Sequence, residues 1–154
     1  MKIRIICPGK TKQKFIEEGI AEYTKRLTAF CKLEFIETAD VKLSSSNNID
    51  IVKEKEAEII GKYLKNDNYL IALDEKGKHF SSVDFAGFID NYKGIRNIDF
   101  LIGGVYGLAD ELRQRADLLL SFSQMTFTHR MIRMLLVEQI YRSFCILNGK
   151  KYHY

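Results

Sequence analysis

The chain has 154 residues, with 46% hydrophobic and 29% charged side chains, a balance that excludes a disordered chain and suits one folded domain. Three widely spaced cysteines (Cys7, Cys31 and Cys145) exclude a disulfide framework and point to the reducing cytoplasm. The net charge is a mild +4, the start alternates charge with apolar residues unlike a leader, and no run approaches the ~20 apolar residues of a membrane helix.

Ile3 to Cys7 reads as a first strand, broken by Pro8-Gly9. Ile16, Ile20, Tyr23, Leu27 and Phe30 fall on one face of a helix. Leu33 to Glu37 is a second strand, and Ser44-Ser45-Ser46-Asn47-Asn48 is a loop by composition. A second helix places Val52, Ile59 or Ile60, and Tyr63 on one side, with Glu56 interrupting the stripe. Tyr69 to Asp74 is a third strand, followed by a turn at Glu75-Lys76-Gly77-Lys78. Ser81, with Asp84 three residues on, caps a helix reaching Tyr92. Ile98 to Ile102 is a fourth strand, Asp110 to Arg115 a short helix, and Leu118 to Phe122 a fifth strand. A long helix runs from Thr128, its expected N-cap, to Leu147, with Ile132, Leu136, Ile140, Phe144 and Leu147 on its apolar stripe. Gly149 follows its end. Strands alternating with helices, and later strands almost wholly apolar, predict an α/β fold with a buried parallel sheet and helices on both faces.

Charge is distributed unevenly. Residues 1–14 hold five Lys/Arg and no acid, and residues 118–154 hold five against Glu138 alone. Two basic ends that meet in the fold make a face suited to phosphates; scattered in space, they are an ordinary solvated surface.

Four segments can carry chemistry. Gly103-Gly104-Val105-Tyr106-Gly107 directly follows a strand. It is either a turn or the wall of a ligand site at the carboxyl end of a sheet. It has neither the Gly-Lys-Ser/Thr of a phosphate-binding loop nor a dinucleotide spacing. Leu120 to His129 is small-polar and adaptable, as a loop wrapping an adenine would be. His129 and Arg133, four apart, share a helix face. The tail Lys150-Lys151-Tyr152-His153-Tyr154 either frays or stacks on bases while its lysines meet phosphates. The three histidines show no metal-ligand spacing, so no metal is expected.

Leu73-Asp-x-x-Gly-Lys78, Ile102-Gly-Gly-x-x-Gly-Leu108, Leu120-Ser-x-Ser-x-Met-Thr-Phe-x-His129, the pattern Arg133, Glu138, Tyr141-Arg142, and the final Tyr152-His153 occur together. In this combination the chain resembles, over its full length, the ribosomal RNA large subunit methyltransferase H family of the SPOUT class. The resemblance implies a trefoil knot in the C-terminal half and S-adenosylmethionine as cofactor. It also implies a homodimer that methylates N3 of a pseudouridine in 23S rRNA on the assembled ribosome, in the cytoplasm, with no membrane involved. Carried over by position, the cofactor contacts are Leu73, Gly104, Ser123, Gln124, Met125, Thr126, Phe127 and Thr128. His129, Arg133 and His153 are expected around the target base, with Tyr152 orienting it and the tail reaching the partner subunit's cofactor. Val105-Tyr106, Thr128 and Tyr154 depart from the family's usual residues. Two other readings stand beside this one: an RNA-binding module without catalysis, and a nucleotide-dependent oxidoreductase.

Overall fold

The computed structural model describes residues 1–46 and 48–153; Asn47 of the predicted loop and Tyr154 of the tail lie outside them. In chain order the elements are β1 (Lys2–Pro8), α1 (Lys14–Leu27), β2 (Lys32–Thr38), α2 (Ile49–Gly61), β3 (Tyr69–His79), α3 (Ser82–Asp90), β4 (Ile98–Leu101), α4 (Asp110–Arg115), β5 (Leu118–Ser121) and α5 (Met131–Leu147). The strands form one five-stranded sheet in the order β2-β1-β4-β3-β5, and every pairing is parallel.

Period-two alternation sorts the strand residues onto two faces. Ile3, Ile5, Cys7, Ile71, Ile98, Phe100 and Leu120 pack with Leu27 of α1, Phe85 and Ile89 of α3, and Leu136, Val137, Ile140 and Phe144 of α5. Ile6, Leu70, Ala72 and Leu101 pack instead with Ala57 and Ile60 of α2 and Leu112 of α4. Both faces are therefore covered, as the apolar strands predict. All three thiols are buried and unpaired.

Local signals placed most boundaries. Ser81 Oγ accepts from the Asp84 N–H at 3.1 Å and caps α3. Asn48 does the same for α2 through Ile51. Gly149, past the end of α5, takes φ +62°. Phe30 lies beyond α1, in the turn after it, and stacks on Phe144 with ring centroids 5.5 Å apart.

Two elements differ from the sequence reading. The strand expected to stop at Asp74 resumes after the predicted turn: Leu73 and Lys78 both pair with Leu120, so residues 74–77 bulge out of a strand that continues to His79. Gly77 lies so close to β5 that a Cβ there would sit 2.6 Å from the Leu119 carbonyl, which leaves room for glycine alone. The second difference is at α5. Thr128 Oγ1 does accept a backbone N–H, from Met131 at 3.2 Å. It caps a turn at 129–130, however, and the helix itself begins only at Met131.

Candidate functional site: a cavity at the carboxyl ends of three strands

The chain leaves β3, β4 and β5 at the same end of the sheet, where open parallel sheets hold ligands. The three exits enclose a cavity of about 790 Å³, within the ~300–1,000 Å³ of small-molecule sites. Leu73 and Leu120 come from the paired strands β3 and β5, Asp74 to Lys76 from the β3 bulge, Ile102 to Leu108 from the turn after β4, and much of 122–130 from the segment after β5.

The glycine segment folds back on itself. The Gly107 N–H donates to the Gly104 carbonyl at 3.2 Å, and Gly107 takes φ +77°, a left-handed conformation that favours glycine. Val105, at the corner, is 71% exposed. Gly104 is pressed from behind by Glu56 of α2: a Cβ on Gly104 would lie 2.6 Å from the Glu56 carboxylate. That explains the acid interrupting the apolar stripe of α2. Glu56 is buried against the loop and accepts the Val41 N–H.

Burial pushes the Glu56 carboxyl above its ordinary 4.5, and the neighbouring Asp40 charge adds to this. The raised value fixes a sign. The protonated form is favoured in the folded chain, so this contribution to stability is full at acidic pH and is lost as pH rises through the folded-state pKa. We expect Glu56→Gln to remove that dependence. Urea unfolding from acidic to neutral pH should show a flatter stability profile for the variant, which equals or exceeds the parent at neutral pH.

The segment after β5 is held by its own polar groups. The Met125 N–H donates to Ser123 Oγ at 2.9 Å, and Thr126 Oγ1 donates to Glu75 Oε2 at 3.2 Å. The first bond closes the segment on itself, and the second ties it to the β3 bulge. Arg113 of α4 lies on the same cavity, its Nε 3.1 Å from Asp74.

Leu73, Gly104, Ser123, Met125, Thr126, Phe127, Thr128 and His129 all line the cavity; Gln124 does not. Gln13, Lys53, Glu75, Arg113 and Arg130 also line it and were not singled out from the sequence. For Glu75 a signal existed, since it sits inside the Leu73–Lys78 pattern. Arg130 is the neighbour of His129, while Gln13, Lys53 and Arg113 reach the cavity from distant elements.

His129 is half-buried at the cavity. Desolvation, then the charges of Arg133 and Arg130, hold its imidazole below the ordinary 6.5. At neutral pH it is uncharged and able to accept a proton.

Arg133 is not beside His129 on an open face. It is completely buried, and its guanidinium donates to the carbonyls of Pro8 at 2.6 Å, Gly9 at 2.9 Å and His129 at 3.2 Å, and to Thr11 Oγ1 at 2.9 Å. The i, i+4 spacing holds, but the face points inward and every nitrogen of the fork is hydrogen-bonded there. Arg133 fixes the 8–11 segment against the start of α5 rather than lining the cavity.

Tyr152 and His153 do not reach this cavity within their own chain either. The tail folds back along α5 to Glu138, near the middle of that 17-residue helix and roughly 10 Å from its start at 1.5 Å per residue. There the Tyr152 hydroxyl donates to Glu138 Oε1 at 3.0 Å and lies 3.1 Å from the Tyr23 hydroxyl. Arg142 pairs with Glu138 at 2.5 Å, covers the Tyr152 ring at 4.7 Å and lies 3.5 Å from His153 Nδ1.

Comparison with known proteins agrees with this arrangement. A family model described as "predicted SPOUT methyltransferase" matches residues 1–153. Proteins named ribosomal RNA large subunit methyltransferase H from Clostridium botulinum (strain Langeland) and Clostridium kluyveri are each 45% identical, over 99% of this chain and 99% of their own length. Among solved structures, a probable methylase family protein from Haemophilus influenzae superposes with TM-score 0.54 at 14% identity, over 99% of this chain and 70% of that one. A probable methyltransferase from Bordetella pertussis gives 0.53 at 8% identity, over 92% and 93%; at such identities the two structures speak to the fold alone. With its full length matched by close relatives and its sheet by distant ones, this chain belongs to the SPOUT methyltransferases and, within them, to the ribosomal RNA large subunit methyltransferase H family.

Proposed function

We propose that this chain, folded as one domain, is a cytoplasmic S-adenosylmethionine-dependent methyltransferase that methylates N3 of a pseudouridine in 23S rRNA of the ribosome, working as a homodimer. The observation that carries the proposal is the cavity at the ends of β3, β4 and β5, which brings the glycine segment, the 122–128 segment and a neutral His129 onto one space.

The residues present fit the cofactor. Gly103, Gly104 and Gly107 line the cavity without side chains, a backbone surface against which a ligand can lie. Backbone groups of 123–128 suit an adenine edge, and Met125 and Phe127 supply apolar cover. Arg113 offers a cation for a carboxylate, and Glu75 a negative charge that complements a sulfonium. Bound there, the cofactor supplies a methyl group made electrophilic by the adjacent sulfonium. The protein's part is mainly positioning, since in-line displacement demands that nucleophile and methyl be held in contact.

The N3–H of the target base must lose its proton as the new N–CH3 bond forms. His129 is the group on the cavity suited to accept it, and Arg130 beside it stabilises negative charge developing on the base. The expected result for His129→Gln is a fall in kcat of roughly 10²–10⁴-fold, the usual range for losing a general base. Because the His129 pKa is lowered, the acid limb of the parent's pH–rate profile should fall below the ordinary histidine range. A variant with parental kcat removes His129 from the proton transfer.

The tail supports the dimer. Neither Tyr152 nor His153 lines its own cavity, and Tyr152 is held on Glu138 and Tyr23, so the two act on the target base only if a second subunit brings them there. The knot belongs to the same reading, supported by the tight passage of β5 over Gly77 in the β3 bulge. Mass mapping of rRNA after incubation of unmodified ribosomes with protein and cofactor tests the whole proposal. A methyl group on a pseudouridine of the large subunit is the expected product; no incorporation overturns it.

A further inference from the structure

We infer that the segment from Lys10 to Phe15 is an RNA-docking ridge, on which Phe15 stacks against a nucleobase flanking the target while Lys10, Lys12 and Lys14 meet the adjoining phosphates. This rests on the rRNA reading above and adds a surface that the cavity does not include.

Phe15 stands 59% exposed at the start of α1 and joins neither core cluster. Its burial contributes little to folding. Lys10 and Lys12 are exposed and make no ion pair among the described residues; Lys14 reaches Glu18 only at 3.8 Å, with both side chains largely in solvent. Cations interleaved with an exposed aromatic are the pattern of sequence-tolerant single-strand binding. Ring stacking recognises any base, and ammonium groups track the backbone.

The ridge is rigid and continuous with the cavity. Arg133 holds the Pro8 and Gly9 carbonyls and Thr11 Oγ1, and the Thr11 N–H donates to Glu37 Oε1 at 2.7 Å. Next along the chain, Gln13 lines the cavity, and Arg130 lines it as well. Gln13 Oε1 and Arg130 Nε are buried polar atoms without hydrogen-bond partners. Gln13 occupies the N-cap position of α1 yet makes no capping bond. Two cavity-lining polar residues, one of them beside an exposed basic and aromatic strip, suit a polynucleotide that enters the cavity by one base and leaves along the ridge.

The test uses the full chain and large ribosomal subunits lacking the modification. Affinity is measured directly by binding at several salt concentrations, and cofactor affinity, methylation and oligomeric state are followed in parallel. Phe15→Ala should weaken subunit binding by roughly 5–150-fold, the range for losing one base stack, with cofactor affinity unchanged. Lys10→Gln/Lys12→Gln/Lys14→Gln should lower the slope of log affinity against log salt by about two, at ~0.7 per single-strand phosphate contact. Unchanged affinity and slope in both variants would overturn the ridge. So would conversion of Phe15→Ala to a different oligomeric state, which would make Phe15 a contact between subunits. Wild-type protein that binds the subunit but leaves it unmethylated would sink the methyl-transfer reading alone, with the ridge still scored by binding.

Discussion

Replacing Arg133 with methionine should destabilise the protein by about 3–5 kcal/mol, the usual cost of removing one partner from a buried charged network. The side chain is fully buried, and its donors satisfy three backbone carbonyls and one hydroxyl that methionine leaves unbonded. Arg133→Lys should recover only part of the loss, because a single ammonium cannot reproduce a fork that spans Pro8, Gly9 and His129. Urea unfolding at fixed protomer concentration reads the effect, since association would otherwise contribute to apparent stability. The consequence extends to function. Arg133 ties the turn carrying His129 to the segment carrying Gln13, so the lysine variant should lose activity while it remains folded at low temperature. A lysine variant with parental stability would show that the carbonyls find other partners.

A comparable loss is expected at the opposite end of the sheet. Arg4 of β1 and Asp99 of β4 are register partners, both almost completely buried, and they form a bidentate pair; Arg4 Nε reaches Asp99 Oδ1 at 2.7 Å. Asn68 adds a bond to the same oxygen at 2.7 Å. Arg4→Met leaves a buried carboxylate with one neutral donor and should cost about 3–5 kcal/mol. Arg4→Met combined with Asp99→Leu should recover most of that loss, because no unpaired charge remains and apolar replacements of buried pairs are often neutral. A double-mutant cycle by urea unfolding measures the difference. A double variant as unstable as the single one would assign the cost to packing rather than to charge. The pair lies away from the cavity, so the folded double variant should retain cofactor affinity.

These two arginines also show where reading along the chain stops. Arg4 alternates with Ile3 and Ile5, which looks like a strand with one solvated face. The sheet is instead covered on both sides, and the guanidinium is matched by a residue 95 positions away. Arg133 and His129 have the spacing of a shared helix face, and nothing local reveals that the face is turned inward. Glu56 disturbs an apolar stripe for a reason visible only once Gly104 is placed against it.

By itself the sequence determined the strands and helices to within a few residues, the α/β class, the sheet covered on both faces, and the family. Periodicity, capping residues and glycines act over a few positions, and the motif combination is a property of the chain alone. Most of the proposed cofactor wall was legible for the same reason, as Leu73, Gly104 and the 123–128 segment lie in contiguous motifs next to strand ends. The tertiary structure decided the rest. It resumed β3 beyond the Gly77 bulge because β5 offers paired backbone there. It brought Gln13, Lys53 and Arg113 to one cavity from three separate parts of the chain, and it turned Arg133 inward onto carbonyls that needed donors. It also docked the aromatic tail on Glu138 and Tyr23, outside its own cavity. Each of these outcomes depends on contacts between residues far apart in the chain, and such contacts leave no periodic signal in a single sequence.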